Sequence, residues 1–220
     1  MLVAGAVLVG VSIAAAVALA IHTGPNPVDH AGFSLIPRQP NSTVFVWTSR
    51  LGRPLILVLA TLAAALVAVR RDRIRALACL GGPFLASLLV ELAFKPLVGR
   101  RFEGVLSFPS GNVTDVASVA TAWVLAVPRR GRPLAALVGA VATGGMTVAV
   151  IGLRWHYPSD ALAGAAFGAG MVLTVDGVLH LPDVRRWIPA PLRPDRGAAL
   201  QPGAPEAPRA DSRGAAPHQK

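Results

Sequence analysis

The chain has 220 residues, of which 53% are hydrophobic and only 15% charged, and its mean hydropathy is +0.55. That balance excludes an ordinary soluble domain of this length and points to an integral membrane protein. The formal charge of +10 invites a nucleic-acid reading, but where the basic residues lie matters more than their sum, and nucleic acid is not an expected partner.

Nearly uncharged windows recur at 2–22, 54–69, 76–94, 112–128, 133–153 and 158–180. A helix needs roughly 20 apolar residues to cross the hydrocarbon, so the expected fold is all-α, a polytopic membrane bundle of about six transmembrane helices within 1–183. The runs are continuous rather than alternating, which argues against a β-barrel. The windows 54–69 and 112–128 are short and must borrow flanking residues such as Leu51 or thin the bilayer. The first window ends Ala18-Leu19-Ala20, so a cleaved signal peptide competes with a retained anchor; its uncharged start and 21-residue length favour the anchor.

Residues 23–53 form the longest inter-span segment, with Pro25, Pro27, Pro37 and Pro40 and an apolar patch at Phe33, Leu35, Phe45 and Trp47. The favoured reading is a loop on the headgroups anchored by Trp47, the alternative a cap over a site. Cys79, inside an apolar window, reads as a small packing residue. Gly164 and Gly168 make a small-xxx-small spacing suited to close helix packing. Beyond His180 the composition turns to Pro, Ala, Arg and Gly, and 184–220 is expected to be a disordered cytoplasmic tail.

Seven of the 21 basic residues follow position 180, four lie in 70–75 and three in 129–132. In a six-span arrangement these fall on one side, which the positive-inside tendency assigns to the cytoplasm. Opposite them stand Arg38, Arg50 and Arg53, and then Lys95, Arg100, Arg101 and Arg154.

That opposite face collects three segments: Lys95-Pro96-Leu97-Val98-Gly99-Arg100-Arg101, then Pro109-Ser110-Gly111-Asn112, then Arg154-Trp155-His156-Tyr157-Pro158-Ser159-Asp160. Together they suit an anion. Lys95, Arg100 and Arg154 offer cationic donors for phosphate oxygens. Ser110 and Gly111 sit where a loop enters a helix, whose first N–H groups and dipole favour an oxyanion. Pro158 suits a first helical turn, with His156 just before it and Asp160 within it. A carboxylate there would accept the Nδ1–H of His156 and leave Nε2 as a nucleophile, a route to phosphoryl transfer that needs no metal or other cofactor. Asp115 and Glu91 lie about a turn from Asn112 and Lys95; Asp115 is a possible source of a proton through water, Glu91 a partner for Lys95, and both are otherwise interfacial carboxylates.

This ordered combination resembles the type 2 phosphatidic acid phosphatase superfamily, which includes bacterial acid phosphatases, undecaprenyl-diphosphate phosphatases and vanadium haloperoxidases; the likeness covers about 75–180. It implies a helical core of that family's kind, with His156 attacking phosphorus to give a phosphohistidine, Asp160 orienting it, and Lys95, Arg100 or Arg101, Arg154, Ser110 and Gly111 holding the phosphoryl oxygens. Three departures stand out. The family's first segment has a longer lysine-to-arginine gap, so either Arg100 or Arg101 is the counterpart. Its third-segment arginine falls where this chain has Val150, with Arg154 nearer the histidine. Its general-acid histidine is replaced by Asn112, which donates a hydrogen bond but no proton.

A diphosphate, whose leaving group is already a stable anion, needs that acid least. The expectation is therefore a multi-pass cell-membrane phosphatase acting on a lipid phosphate or polyprenyl diphosphate, with its site extracytoplasmic. The alternatives are a non-catalytic protein that binds or moves phospholipids and, less favoured, a haloperoxidase.

Overall fold

The computed structural model describes residues 1–189. Most of the tail expected over 184–220 lies outside the described residues. The elements in order are α1 (Leu2–Ile21), α2 (Pro27–Leu35), α3 (Thr43–Ser49) with a 3₁₀ turn at Arg50–Gly52, and α4 (Pro54–Val69). Next, α5 (Arg73–Leu89) runs through a π-helical turn at Val90–Phe94 into α6 (Lys95–Val98). A hairpin of β1 (Arg101–Phe102) and β2 (Val105–Leu106) follows, then α7 (Gly111–Ala126), α8 (Arg132–Gly152), α9 (Pro158–Leu179) and α10 (Pro182–Arg185).

Local chemistry explains the boundaries. Prolines open α2, α4, α9 and α10, where a missing N–H costs nothing and the fixed φ already suits a helix. Asn26 and Asp29 exchange backbone and side-chain bonds of 3.0 and 2.9 Å in a capping box at α2. The hairpin closes on Glu103 and Gly104, both at positive φ (46° and 86°), the geometry a two-residue loop requires.

The bundle is built around α7, which packs against α4, α5, α8 and α9, while α1 lies along α9. Its interior inverts the habit of soluble proteins. Small residues such as Ala64, Ala68, Ala122, Ala149 and Ala161 are buried, whereas Val7, Leu55, Leu59, Leu66, Leu137 and Val141 face outward. Against lipid there is little hydrophobic force between helices, so close contact of small residues holds them together. The Gly164/Gly168 spacing does this for α9. A Cβ on Gly164 would come 2.7 Å from the Ser110 carbonyl oxygen, and one on Gly168 would collide with that of Thr114. Cys79 is fully buried, its thiol 3.4 Å from the Ala122 carbonyl, in the packing role expected of it.

All six expected windows are helical, yet six is not the number of helices of spanning length. Four described helices are long and apolar enough to cross a membrane, beginning at Leu2, Arg73, Arg129 and Pro158. A fifth results if Thr43–Gly52 and Pro54–Val69, bent by 53°, count as one. Helix α7 has 16 residues, about 24 Å at the usual rise, and nine of them are buried. Thr114 and Ser118, buried with it, need protein rather than lipid around them. The segment 23–53 is also not a plain loop on the headgroups. It contains α2 and α3, and α2 reaches the ends of α8 and α9.

Candidate active site

Helix α7 starts at the sequence Pro109-Ser110-Gly111, and the cis Phe108–Pro109 peptide precedes it. Ser110 donates its N–H to the Asp160 carbonyl (3.0 Å), and its own carbonyl accepts from Thr114 N (3.0 Å) and Thr114 Oγ1 (2.9 Å). Its hydroxyl is buried and has no protein partner. A buried hydroxyl without a partner is costly, and here it lies beside the unpaired N–H groups of a helix start.

Two charged side chains lie over that start. Lys95 Nζ pairs with Glu91 Oε1 at 2.5 Å. A Cβ on Gly111 would lie 3.2 Å from that same Oε1 and 3.9 Å from Nζ, so glycine leaves the helix start open to them. The π-helical turn carries Glu91 and leads directly into Lys95; such turns are frequent at functional sites. Both charges also act on the ring of His156. Lys95 and Glu91 thus lie beside Gly111 at the helix start, and their charges reach the ring of His156.

His156 stands between α8 and α9, and its Nδ1 lies 2.9 Å from the carbonyl oxygen of Ser107. A carbonyl can only accept, so Nδ1 carries the proton and Nε2 is the free base. Burial, with a smaller push from Lys95, depresses the imidazole to about 4 despite the opposing Ser107 bond, so the neutral form prevails at physiological pH.

This corrects the expected role of Asp160. Its carboxylate bonds Arg100 and the N–H of Tyr157 (3.3 Å), not His156. Its link to the histidine is indirect: Arg100 holds the carboxylate, the Arg100 carbonyl accepts the Ser107 hydroxyl at 3.4 Å, and the Ser107 carbonyl meets the His156 ring.

Arg100 is likewise not available to a phosphate. It is fully buried and spends all five N–H donors on protein. Nε meets the Thr23 carbonyl (3.1 Å), Nη1 meets Ser159 Oγ (2.8 Å) and Asp160, and Nη2 meets the Gly24 carbonyl (3.0 Å) and Asp29 Oδ2 (2.5 Å). The guanidinium also lies 4.0 Å from the centre of the Tyr157 ring. Burial alone would raise Asp29, but bonds from Asn26, Ser159 and Arg100 hold it below the usual carboxylate range. Arg101 is exposed and bonds the Gly104 carbonyl at 2.7 Å within its own hairpin. Neither arginine of the pair lies in the cluster around Ser110.

Arg154 occupies a third position. Its φ of 58° is left-handed, and the bonds from Arg154 N to the Ile151 carbonyl (3.1 Å) and from Trp155 N to the Val150 carbonyl (2.9 Å) form a Schellman end to α8. Its guanidinium lies 4.0 Å from the centre of the Phe33 ring, on an aromatic group completed by Phe102 and Tyr157. Arg38 is the charge that acts on it. Asn112 points its amide toward the turn Arg50–Gly52, where a Cβ on Gly52 would come 2.9 Å from Asn112 Oδ1. Asp115, one turn further along α7, accepts the hydroxyl of Ser87 and lines a cavity of about 400 Å³ with Gly52, Leu57, Leu62 and Phe84.

Three contributors escaped the sequence reading: Ser107, Asp29 and Ser159. Ser107 acts on His156 through a backbone carbonyl, which no residue type announces. Asp29 did carry a signal, the Asn-Pro-x-Asp capping pattern, which marks a helix start inside the supposed loop.

Comparison with known proteins finds likenesses over the same stretch of chain. The sequence profile of the PAP2 superfamily matches residues 92–180, which contain Lys95, Ser110, Gly111, Asn112, His156 and Asp160. A lipid A 1-phosphatase from Rhizobium johnstonii is 41% identical over 78 residues, 35% of this chain and 29% of that protein. The chain thus matches under a third of that relative's length. The crystal structure of a transmembrane PAP2-type phosphatidylglycerolphosphate phosphatase from Bacillus subtilis superposes with a TM-score of 0.59 and 20% identity, over 76% of this chain and 93% of the other, which establishes a common fold. Residues 92–180 thus match the PAP2 superfamily, and the bundle that holds them has the fold of a PAP2-type phosphatase.

Proposed function

We propose that the protein is a membrane phosphatase that removes a phosphoryl group from a lipid phosphate or polyprenyl diphosphate through a phosphohistidine on His156. The observation that carries this reading is the pairing of a free Nε2 on a neutral His156 with a buried, unpartnered Ser110 hydroxyl beside the start of α7. In this scheme Lys95, the Ser110 hydroxyl and the first N–H groups of α7 hold the phosphoryl oxygens, where their charge and dipole stabilise the transition state. His156 Nε2 attacks phosphorus, and Ser107 keeps the ring in the competent tautomer. Asp160 acts as a positioning residue through Arg100 and Ser107.

The largely apolar cavity between α4, α5 and α7 begins at Gly52, beside Asn112, and suits the chain of a lipid better than a soluble ester. The site is assigned to the extracytoplasmic face and the Arg-rich turns to the cytoplasmic one. Names of relatives support the reaction class: one is a lipid A 1-phosphatase and another a phosphatidylglycerolphosphate phosphatase.

A second reading, a phospholipid-binding protein without turnover, is favoured by Asn112 and by the diversion of Arg100. Phosphate release from lipid substrates by the purified chain, compared with His156→Ala, separates the two. Release that His156→Ala abolishes supports the phosphatase; binding of lipid phosphate with no release by the wild-type chain supports the binder.

A further inference from the structure

Asn112 leaves the reaction without the proton donor that an alkoxide leaving group requires. We infer that Glu91 supplies this proton, as the general acid of a site whose α7 carries asparagine at the usual position. The inference rests on the phosphatase reading above.

Glu91 is the carboxylate that reaches the helix start. Its Oε1 lies 2.5 Å from Lys95 Nζ and 3.2 Å from the point a Cβ on Gly111 would occupy, where the bound phosphoryl group is assigned. Its charge acts on both His156 and Asp115. The side chain is 56% exposed, so it can exchange protons with water and swing between Lys95 and a ligand. The π-helical turn that carries it interrupts an otherwise regular helix. The other nearby carboxylates are engaged: Asp160 with Arg100, and Asp115 with Ser87 one turn deeper. A Glu–Lys pair one turn apart, with Glu91 more than half exposed, contributes little to stability, so the pair does little for the fold.

The steps balance as follows. A phosphate monoester arrives with one proton on its phosphoryl group and passes it to the Glu91 carboxylate as Lys95 turns to the phosphoryl oxygens. His156 Nε2 forms a bond to phosphorus while the bond from phosphorus to the lipid oxygen breaks. The leaving oxygen keeps the electron pair and takes the Glu91 proton, departing as an alcohol. Water then attacks phosphorus and gives a proton to the Glu91 carboxylate as the P–N bond breaks and restores Nε2; Glu91 passes that proton to the departing phosphate, which leaves as dihydrogen phosphate and returns the carboxylate to its starting state.

The test compares kcat/KM for two substrates on the full chain in detergent micelles: phosphatidic acid, whose alkoxide must be protonated, and 4-nitrophenyl phosphate, whose phenolate leaves unaided. The quantity read is the alkyl-to-aryl ratio, which a merely structural defect does not move. Glu91→Gln should lower this ratio by about 10²–10⁴. Adding Asn112→His to that variant should raise it again by tenfold or more. If Glu91→Gln does not fold, Glu91→Asp carries the same test, since it keeps the charge and displaces the acid. A ratio unchanged by the Glu91 variant, or one lowered by Asp115→Asn instead, overturns the assignment. If the wild-type chain releases phosphate from neither substrate, the phosphatase reading itself fails, and this assignment with it.

Discussion

Replacing Arg100 with alanine should cost the fold rather than the binding of phosphate. The guanidinium links three pieces of chain distant in sequence: the Thr23–Gly24 turn with Asp29 ahead of and within α2, the segment after α6, and Ser159 and Asp160 at the start of α9. Its removal leaves Asp29 and Asp160, both fully buried, without their cationic partner, while the bonds from Asn26, Ser159 and Tyr157 backbone N–H groups remain. Breaking a buried pair from one side typically costs about 3–5 kcal/mol, and here one side chain serves two carboxylates. Set against a total stability of about 5–15 kcal/mol, that loss should remove a large part of the folded material. Lysine should rescue little, because its three donors cannot replace a five-donor fork. The assay is thermal unfolding in micelles beside vanadate binding on the surviving folded fraction. Arg100→Ala that melts like wild type yet no longer binds vanadate would refute the structural role and restore the phosphate-binding one.

Ser110→Ala should do the reverse: removing a buried hydroxyl without a partner should leave the melting temperature equal or higher, while vanadate affinity falls about 10- to 100-fold, the worth of a hydrogen bond to a charged group. Gly168→Ala should lower stability by about 1–3 kcal/mol, because its methyl meets the Thr114 backbone, whereas Gly10→Ala, which meets nothing within 4 Å, should be neutral; thermal melts read both. His156 should titrate near 4 rather than near 6.5 in an NMR titration of ring-labelled protein assigned with His156→Ala. Because its pKa is depressed by folding, the stability it contributes is full above about pH 6.5 and is lost as the pH falls toward about 4; a midpoint at the ordinary value would contradict the burial argument.

Helix positions were legible because continuous apolar windows and first-turn prolines such as Pro54 and Pro158 have local causes. The number of spanning helices was not. Window 112–128 looks like the others in hydropathy, yet Thr114, Asp115 and Ser118 point α7 at neighbouring helices rather than at lipid. The candidate site was legible as residues whose type suits phosphate chemistry, Lys95, Ser110, Gly111 and His156. It was illegible where partners decide it. Arg100 and Arg101 are the same residue type one position apart, and partners far along the chain, Asp29 71 residues before Arg100 and Asp160 60 residues after it, separate a buried lock from an exposed hairpin side chain. Asp160 was placed correctly at the start of α9 but given the wrong partner, because the competition between His156 and Arg100 for its carboxylate is settled by packing across the bundle. Likewise Arg154 has the charge for a phosphate, while the Schellman turn at the end of α8 sets it over Phe33.

The most direct test of the central claim is to trap the covalent intermediate. The full chain is mixed with lipid phosphate or polyprenyl diphosphate carrying a radiolabelled terminal phosphoryl group, quenched in alkaline denaturant, and mapped by peptide. The account predicts an acid-labile, base-stable label on the peptide containing His156, absent from His156→Ala together with phosphate release. Phosphate release that persists in His156→Ala, with no label on that peptide in the wild-type chain, would contradict it.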